Sequence, residues 1–161
     1  MHRYPTRPFA GVFLLLAALT ATAQYSQPVD ARSYNLGIMG GFAEVVRLGV
    51  KRLALSEVMS PDEMDDILPD AEVVAKRNGV ELYRETDFLV TDLFPEDVAA
   101  GKHVLLIDTG DTLEEYLTIK RDKAALVDAG AYEGAAREDI ARRFGRLLSY
   151  PEPVIDQLLA Q

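Results

Sequence analysis

Four consecutive apolar residues, Val104, Leu105, Leu106 and Ile107, are closed by Asp108, Thr109, Gly110 and Asp111, and a helical pattern follows at once. No other stretch restricts the fold as tightly. An unbroken apolar run bounded by turn residues predicts a strand buried on both faces. Thr112 stands where an N-cap belongs, and Glu115 three residues on completes a Thr-x-x-Glu capping-box pattern. This puts Asp108 and Asp111 at the carboxyl end of a strand, where ligands bind in open α/β sheets.

The elements around this strand follow from spacing and punctuation. After Gly40 and Gly41, the positions Phe42, Val45, Val46 and Gly49 keep helical spacing up to about Leu48, and residues 50–55 offer a short strand or a continuation of that helix. Ser60, Pro61 and Glu63 form a second helix start, with Ser60 as N-cap and Pro61 in the first turn. Pro69 is expected to break or kink that helix, and Asn78-Gly79 to end it. Residues 80–84 alternate as a strand, and residues 88–93 form a further extended run ended by Phe94-Pro95. Past the acidic turn the pattern is helical. Helices are expected from Leu113 to near Gly130 and from about Ala135 to Tyr150, with a terminal amphipathic turn or two. The fold class is therefore α/β or α+β: a small sheet of three or four strands covered by helices, with a helical C-terminal third.

Residues 1–23 have the pattern of a secretory signal, with Arg3 and Arg7 in a basic start, an apolar run from Phe9 to Leu19, and Ala21-Thr22-Ala23 as a small-residue cleavage site. That run falls short of the roughly 20 residues that span a bilayer, so no transmembrane segment is expected after cleavage. Residues 24–35 read as a flexible leader, and residues 36–161 as a single domain. The chain has no cysteine, which excludes disulfides and fits an exported, periplasmic protein better than a eukaryotic extracellular one. Cleavage would leave 15 basic against 26 acidic residues, a formal charge of −11. Binding a nucleic-acid backbone needs a basic stripe, and the cluster Arg137, Arg142, Arg143 and Arg146 is interleaved with Glu138 and Asp139, so nucleic acid is not an expected partner.

If the three strands run parallel, their carboxyl ends gather Ser56, Glu57, Glu85, Asp108 and Asp111 on one edge. Glu57, Glu85, Asp108, Thr109 and Asp111 are then the expected ligand-binding residues. Asp108 and Asp111 are also the candidates for catalysis and for holding a magnesium or calcium ion, because both cations take hard oxygen donors. Asp108-Thr109-Gly110 resembles the catalytic loop of aspartic proteases, which implies a carboxylate pair sharing one proton. That family carries a small or hydroxyl residue where this chain has Asp111, and its loop lies among strands rather than before a helix. The strand, aspartate and helix together resemble the haloacid-dehalogenase-like phosphotransferases, which implies Asp108 as nucleophile, but Gly110 occupies the position of that family's general acid. Neither pattern is complete, and no family is assigned. His103 is the one histidine outside the signal segment, and it precedes its strand. The expected function is binding of a partner protein or small ligand by an exported domain. The alternative is a divalent-cation-dependent hydrolase or phosphotransferase using Asp108 and Asp111.

Overall fold

The structure, a computed structural model, describes residues 30–94 and 96–160. In chain order these form α1 (Ala31–Arg47), β1 (Leu53–Leu55), α2 (Pro61–Asn78), β2 (Glu81–Glu85), α3 (Glu96–Ala99), β3 (Val104–Asp108), α4 (Thr112–Asp128), α5 (Gly134–Leu147) and α6 (Glu152–Leu159). This is an α+β arrangement. None of these helices is long and apolar enough to cross a membrane. The signal segment and residues 24–29 of the leader lie outside the described residues.

β3 is the centre of the sheet, as its apolar run requires. The strand order is β1-β3-β2, and β3 is buried along its whole length. Its side chains alternate between two cores. Leu105 and Ile107 join Met39, Val46, Met64 and Ile67 beneath α1 and α2, while Val104 and Leu106 join Tyr116, Ile119, Ile140 and Phe144 beneath α4 and α5.

Strand direction departs from the parallel expectation, since both pairings with β3 are antiparallel. β1 and β2 run parallel to each other, joined by α2, and β3 is inserted between them in reverse as in a split β-α-β unit. Between β2 and β3 the chain offers only the four-residue α3 as a helix, which is too short to carry a crossover across the sheet. The consequence for the site is large. Ser56, Glu57 and Glu85 stand at one edge with the amino end of β3, and Asp108 stands at the other, opposite Leu53 and Glu81. Four strand residues separate the two edges by roughly 13 Å.

Local expectations divide between those that packing left alone and those that it changed. The capping box of α2 is formed: Ser60 Oγ accepts from the Glu63 N–H at 3.3 Å, and the Ser60 N–H donates to Glu63 Oε2 at 2.8 Å. Gly79 ends that helix in the left-handed conformation. The helix runs on through Pro69, which lies on the exposed face. There water can reach the carbonyl that loses its helical donor. Helix α1 starts at Ala31, eleven residues before the Phe42 where the spacing begins, capped by Asp30, which accepts from the Ser33 N–H at 3.1 Å. Residues 31–35 are thus helical rather than part of a leader. The helix runs through Gly37, Gly40 and Gly41, and burial of Met39, Ala43 and Val46 in the core offsets their propensity cost.

Residues 88–93 form no strand, only an isolated bridge between Thr91 and Phe94. Phe88, Leu89 and Phe94 instead turn their side chains into the α4 and α5 core. At α4 the capping box expected from Thr112 and Glu115 is absent: Asp111 is the N-cap, without a side-chain bond, and Thr112 is a buried first-turn residue. Gly145 of α5 lets α6 approach, since a Cβ would lie 2.9 Å from Ile155. Between those helices Ser149 takes the left-handed conformation (φ 63°), where glycine is usual, and its hydroxyl accepts from the Arg52 N–H at 2.9 Å. That bond ties the start of β1 to the turn that carries Tyr150.

Candidate functional site

At the first sheet edge, two carboxylates expected to share a site have different fates. Glu85 is buried and committed. It accepts from the Tyr116 hydroxyl at 2.9 Å, from Lys120 Nζ at 3.0 Å and from the Asp87 N–H at 2.7 Å. Tyr116 in turn accepts from the Leu89 N–H at 3.0 Å, and burial pushes its phenol well above the ordinary range. This knot fastens the loop after β2 to α4. Buried polar groups left unpaired are costly, so Glu85 is better described as a structural anchor than as a ligand contact.

Glu57 is exposed and lies between two hollows. The first, about 580 Å³, runs between the start of α1 and the start of α2, with Tyr34, Asn35, Glu57, Met59, Glu63 and Asp66 along it. The second, about 300 Å³, is largely apolar and is reached past Val58, with Phe42, Leu55, Phe88, Phe94 and Tyr150 along it. Ser56 supports the segment from below: its hydroxyl accepts from the Leu105 N–H at 2.9 Å and donates to the Glu57 carbonyl at 2.8 Å. Two cations line the hollows, and both are engaged. Arg32 pairs with Asp70 at 2.7 Å and donates to the Asp66 carbonyl at 2.7 Å. Lys51 donates to the Leu148 carbonyl at 2.6 Å and sits 5.2 Å from the Tyr150 ring centre, and burial pulls its pKa below the usual lysine value.

The second edge holds Asp108. It is fully buried, and neither carboxylate oxygen has a hydrogen-bond partner. Burial, followed by the facing carboxylate of Glu81, pushes its pKa up to about 6 against the opposing influence of the Leu113 N–H. Thr109 and Asp111 are exposed, Glu114 pairs with Arg121 at 2.9 Å and Glu115 pairs with Arg52. The oxygen donors suggested by the turn therefore do not converge. Among the described residues no three histidine, cysteine, aspartate or glutamate side chains are grouped to hold a metal ion.

The histidine and the α5 arginines are engaged with neighbouring side chains. His103 lies at the edge opposite Asp108, and its Nδ1 accepts from Arg84 Nε at 3.1 Å while Arg84 pairs with Asp65 at 2.5 Å. Arg142, Arg143 and Arg146 pair with Asp156, Asp122 and Glu152 at 2.7 Å or less, so they hold α5 to its neighbours. Tyr34, Met59 and Phe94 line the hollows although no sequence motif marks them. The available signal was Asp30 followed by Ser33, an N-cap pattern that would have started α1 early enough to bring Tyr34 and Asn35 beside Glu57.

No family model matches the chain, and no curated protein or solved structure matches it.

Proposed function

We propose that this chain is an exported binding domain that takes a small ligand or a segment of a partner in the groove at Glu57 and Val58, without turnover. The observation that carries the reading is the placement of Glu57. Its carboxylate meets no protein donor among the described residues, whereas Glu85, the other strand-end carboxylate at this edge, is consumed by three hydrogen bonds. A free charge at the junction of a polar and an apolar hollow is the pattern by which binding sites orient a ligand. Titrating the isotope-labelled full chain with a library of small organic ions and amphiphiles should shift amide resonances grouped at Tyr34, Val58, Met59 and Phe94. Shifts scattered over the surface would overturn the reading.

The second reading is a divalent-cation-dependent hydrolase or phosphotransferase, and the unpartnered carboxylate of Asp108 is the observation in its favour. Magnesium shifting the amides of Asp108, Thr109 and Asp111 at stoichiometric concentration would favour it over the first. Export rests on the basic, apolar and small-residue pattern of residues 1–23. Intact-mass measurement on protein recovered from an exporting bacterium is expected to place the N-terminus at Gln24 in the periplasmic fraction. Retention of Met1 in the cytoplasmic fraction is the opposing result.

A further inference from the structure

The chemistry of the groove narrows what it can take, and the narrowing rests on the binding reading above. In the first hollow the charged lining residues are Glu57, Glu63, Asp66 and Arg32. Arg32 is neutralised by Asp70, so the carboxylates keep an excess of negative charge. Hydrogen bonds from Ser60 hold the Glu63 carboxyl below the ordinary carboxylate range, which keeps that charge in place. The second hollow differs. Its cation, Lys51, is spent on a carbonyl and an aromatic ring, and its walls are aromatic and aliphatic. The groove thus presents unbalanced negative charge beside an apolar recess, and the whole chain, at −9, adds a field that attracts cations.

The main chain adds a second, independent constraint. Among the described residues β1 is an edge strand, with β3 on one side. The Ser56 N–H donates to the Leu105 carbonyl. In an antiparallel ladder successive residues alternate, so the N–H and C=O of Leu55 point to the open side. Leu55 also lines the second hollow. A strand edge that opens into a groove is the geometry by which extended peptides add to a sheet.

From these observations we infer that the groove takes an extended basic and apolar peptide segment of a partner protein. Its main chain pairs with Leu55, a lysine or arginine enters the hollow walled by Glu57, Glu63 and Asp66, and a large apolar side chain enters the hollow of Phe42, Phe94 and Tyr150. The acidic hollow is walled by Met59 and Ile67 of the α1 and α2 core and the apolar hollow by Leu55, Phe88 and Phe94 of the α4 and α5 core; successive side chains of an extended peptide point to opposite faces, so the basic and apolar residues are adjacent.

The probe is an acetylated, amidated hexapeptide carrying lysine and phenylalanine at adjacent positions in a serine and glycine background, titrated to millimolar concentration into the full chain. Saturable amide shifts at Leu55, Val58 and Met59 are expected. Affinity should fall roughly fivefold for each of Glu57→Gln and Asp66→Asn, the scale of a single exposed charge pair, and should fall further with added salt. Both residues are exposed, and unchanged melting curves will show that the variants fold. Three outcomes would overturn the inference: no saturable shift, equal binding of a peptide with glutamate in place of lysine, or equal binding after N-methylation of the peptide main chain. If the peptide fails while small amphiphiles still shift the groove amides, the inference falls and the binding reading stands. If neither shifts them, both fall.

Discussion

Asp108→Asn is expected to make the protein more stable than the wild type at pH 8, by about 2 kcal/mol, and to lose that advantage by pH 4. The folded carboxyl has a pKa of about 6 against an ordinary value of 3.8, so the folded state holds the proton more tightly than the unfolded chain does. Its contribution to stability is fully present below the unfolded value and is lost as pH rises through the folded one. A shift of that size corresponds to about 3 kcal/mol between pH 4 and pH 7. Asparagine removes the charge but leaves a buried amide with few partners, which is why the expected gain is smaller than the full amount. Urea unfolding of both proteins from pH 4 to pH 8 reads the effect. The difference between the two curves should open between pH 4 and pH 6 and stay level above. A difference that does not change with pH would show that Asp108 does not carry a buried charge.

Phe144→Ala is expected to cost about 3–5 kcal/mol, the range for deleting a fully buried aromatic side chain. Phe144 has no exposed surface, and its ring centre lies 5.7 Å from those of Phe88 and Phe94 and 5.9 Å from that of Tyr116. The cavity would open beneath Phe88 and Phe94, two walls of the apolar hollow, so the variant should also weaken any ligand held there. Equilibrium denaturation gives the stability change, and ring resonances of Phe88 and Phe94 report the loosened wall. A loss under about 1 kcal/mol would mean that the core closes around the missing ring. Phe144→Leu keeps most of the volume and should cost clearly less.

The separation of the two sheet edges governs how these residues relate to function. Asp108 sits at the edge where a parallel sheet would have placed the site, and it is sealed beneath the first turn of α4. Glu57 sits at the other edge and faces solvent. A carboxylate that is buried without partners reports on stability, whereas one that is exposed beside a hollow can meet a ligand. The acid-rich composition was evident from the chain alone. Folding decided which acids stay free, because Glu85 and Asp70 are taken up by Tyr116 with Lys120 and by Arg32.

What the amino-acid sequence determined by itself is the set of features whose physics is local. The apolar run of β3, the Ser60 and Glu63 box, the left-handed Gly79 and the apolar stripe of α5 each depend on residues a few positions apart, and each is found where the pattern places it. What only the tertiary structure decided is direction, reach and access. An apolar run reads the same in either direction, so nothing in residues 104–108 says that β3 opposes β1 and β2, and this reversal moved Asp108 away from Glu57 and Glu85. The glycines at 37, 40 and 41 argue locally against a helix, yet α1 passes through them because its Met39, Ala43 and Val46 are buried in the core. Thr112 is a good cap in isolation, but burial at the start of α4 gives that position to Asp111. At the glycines and at Thr112 long-range packing outweighed a local preference worth about 1 kcal/mol per residue.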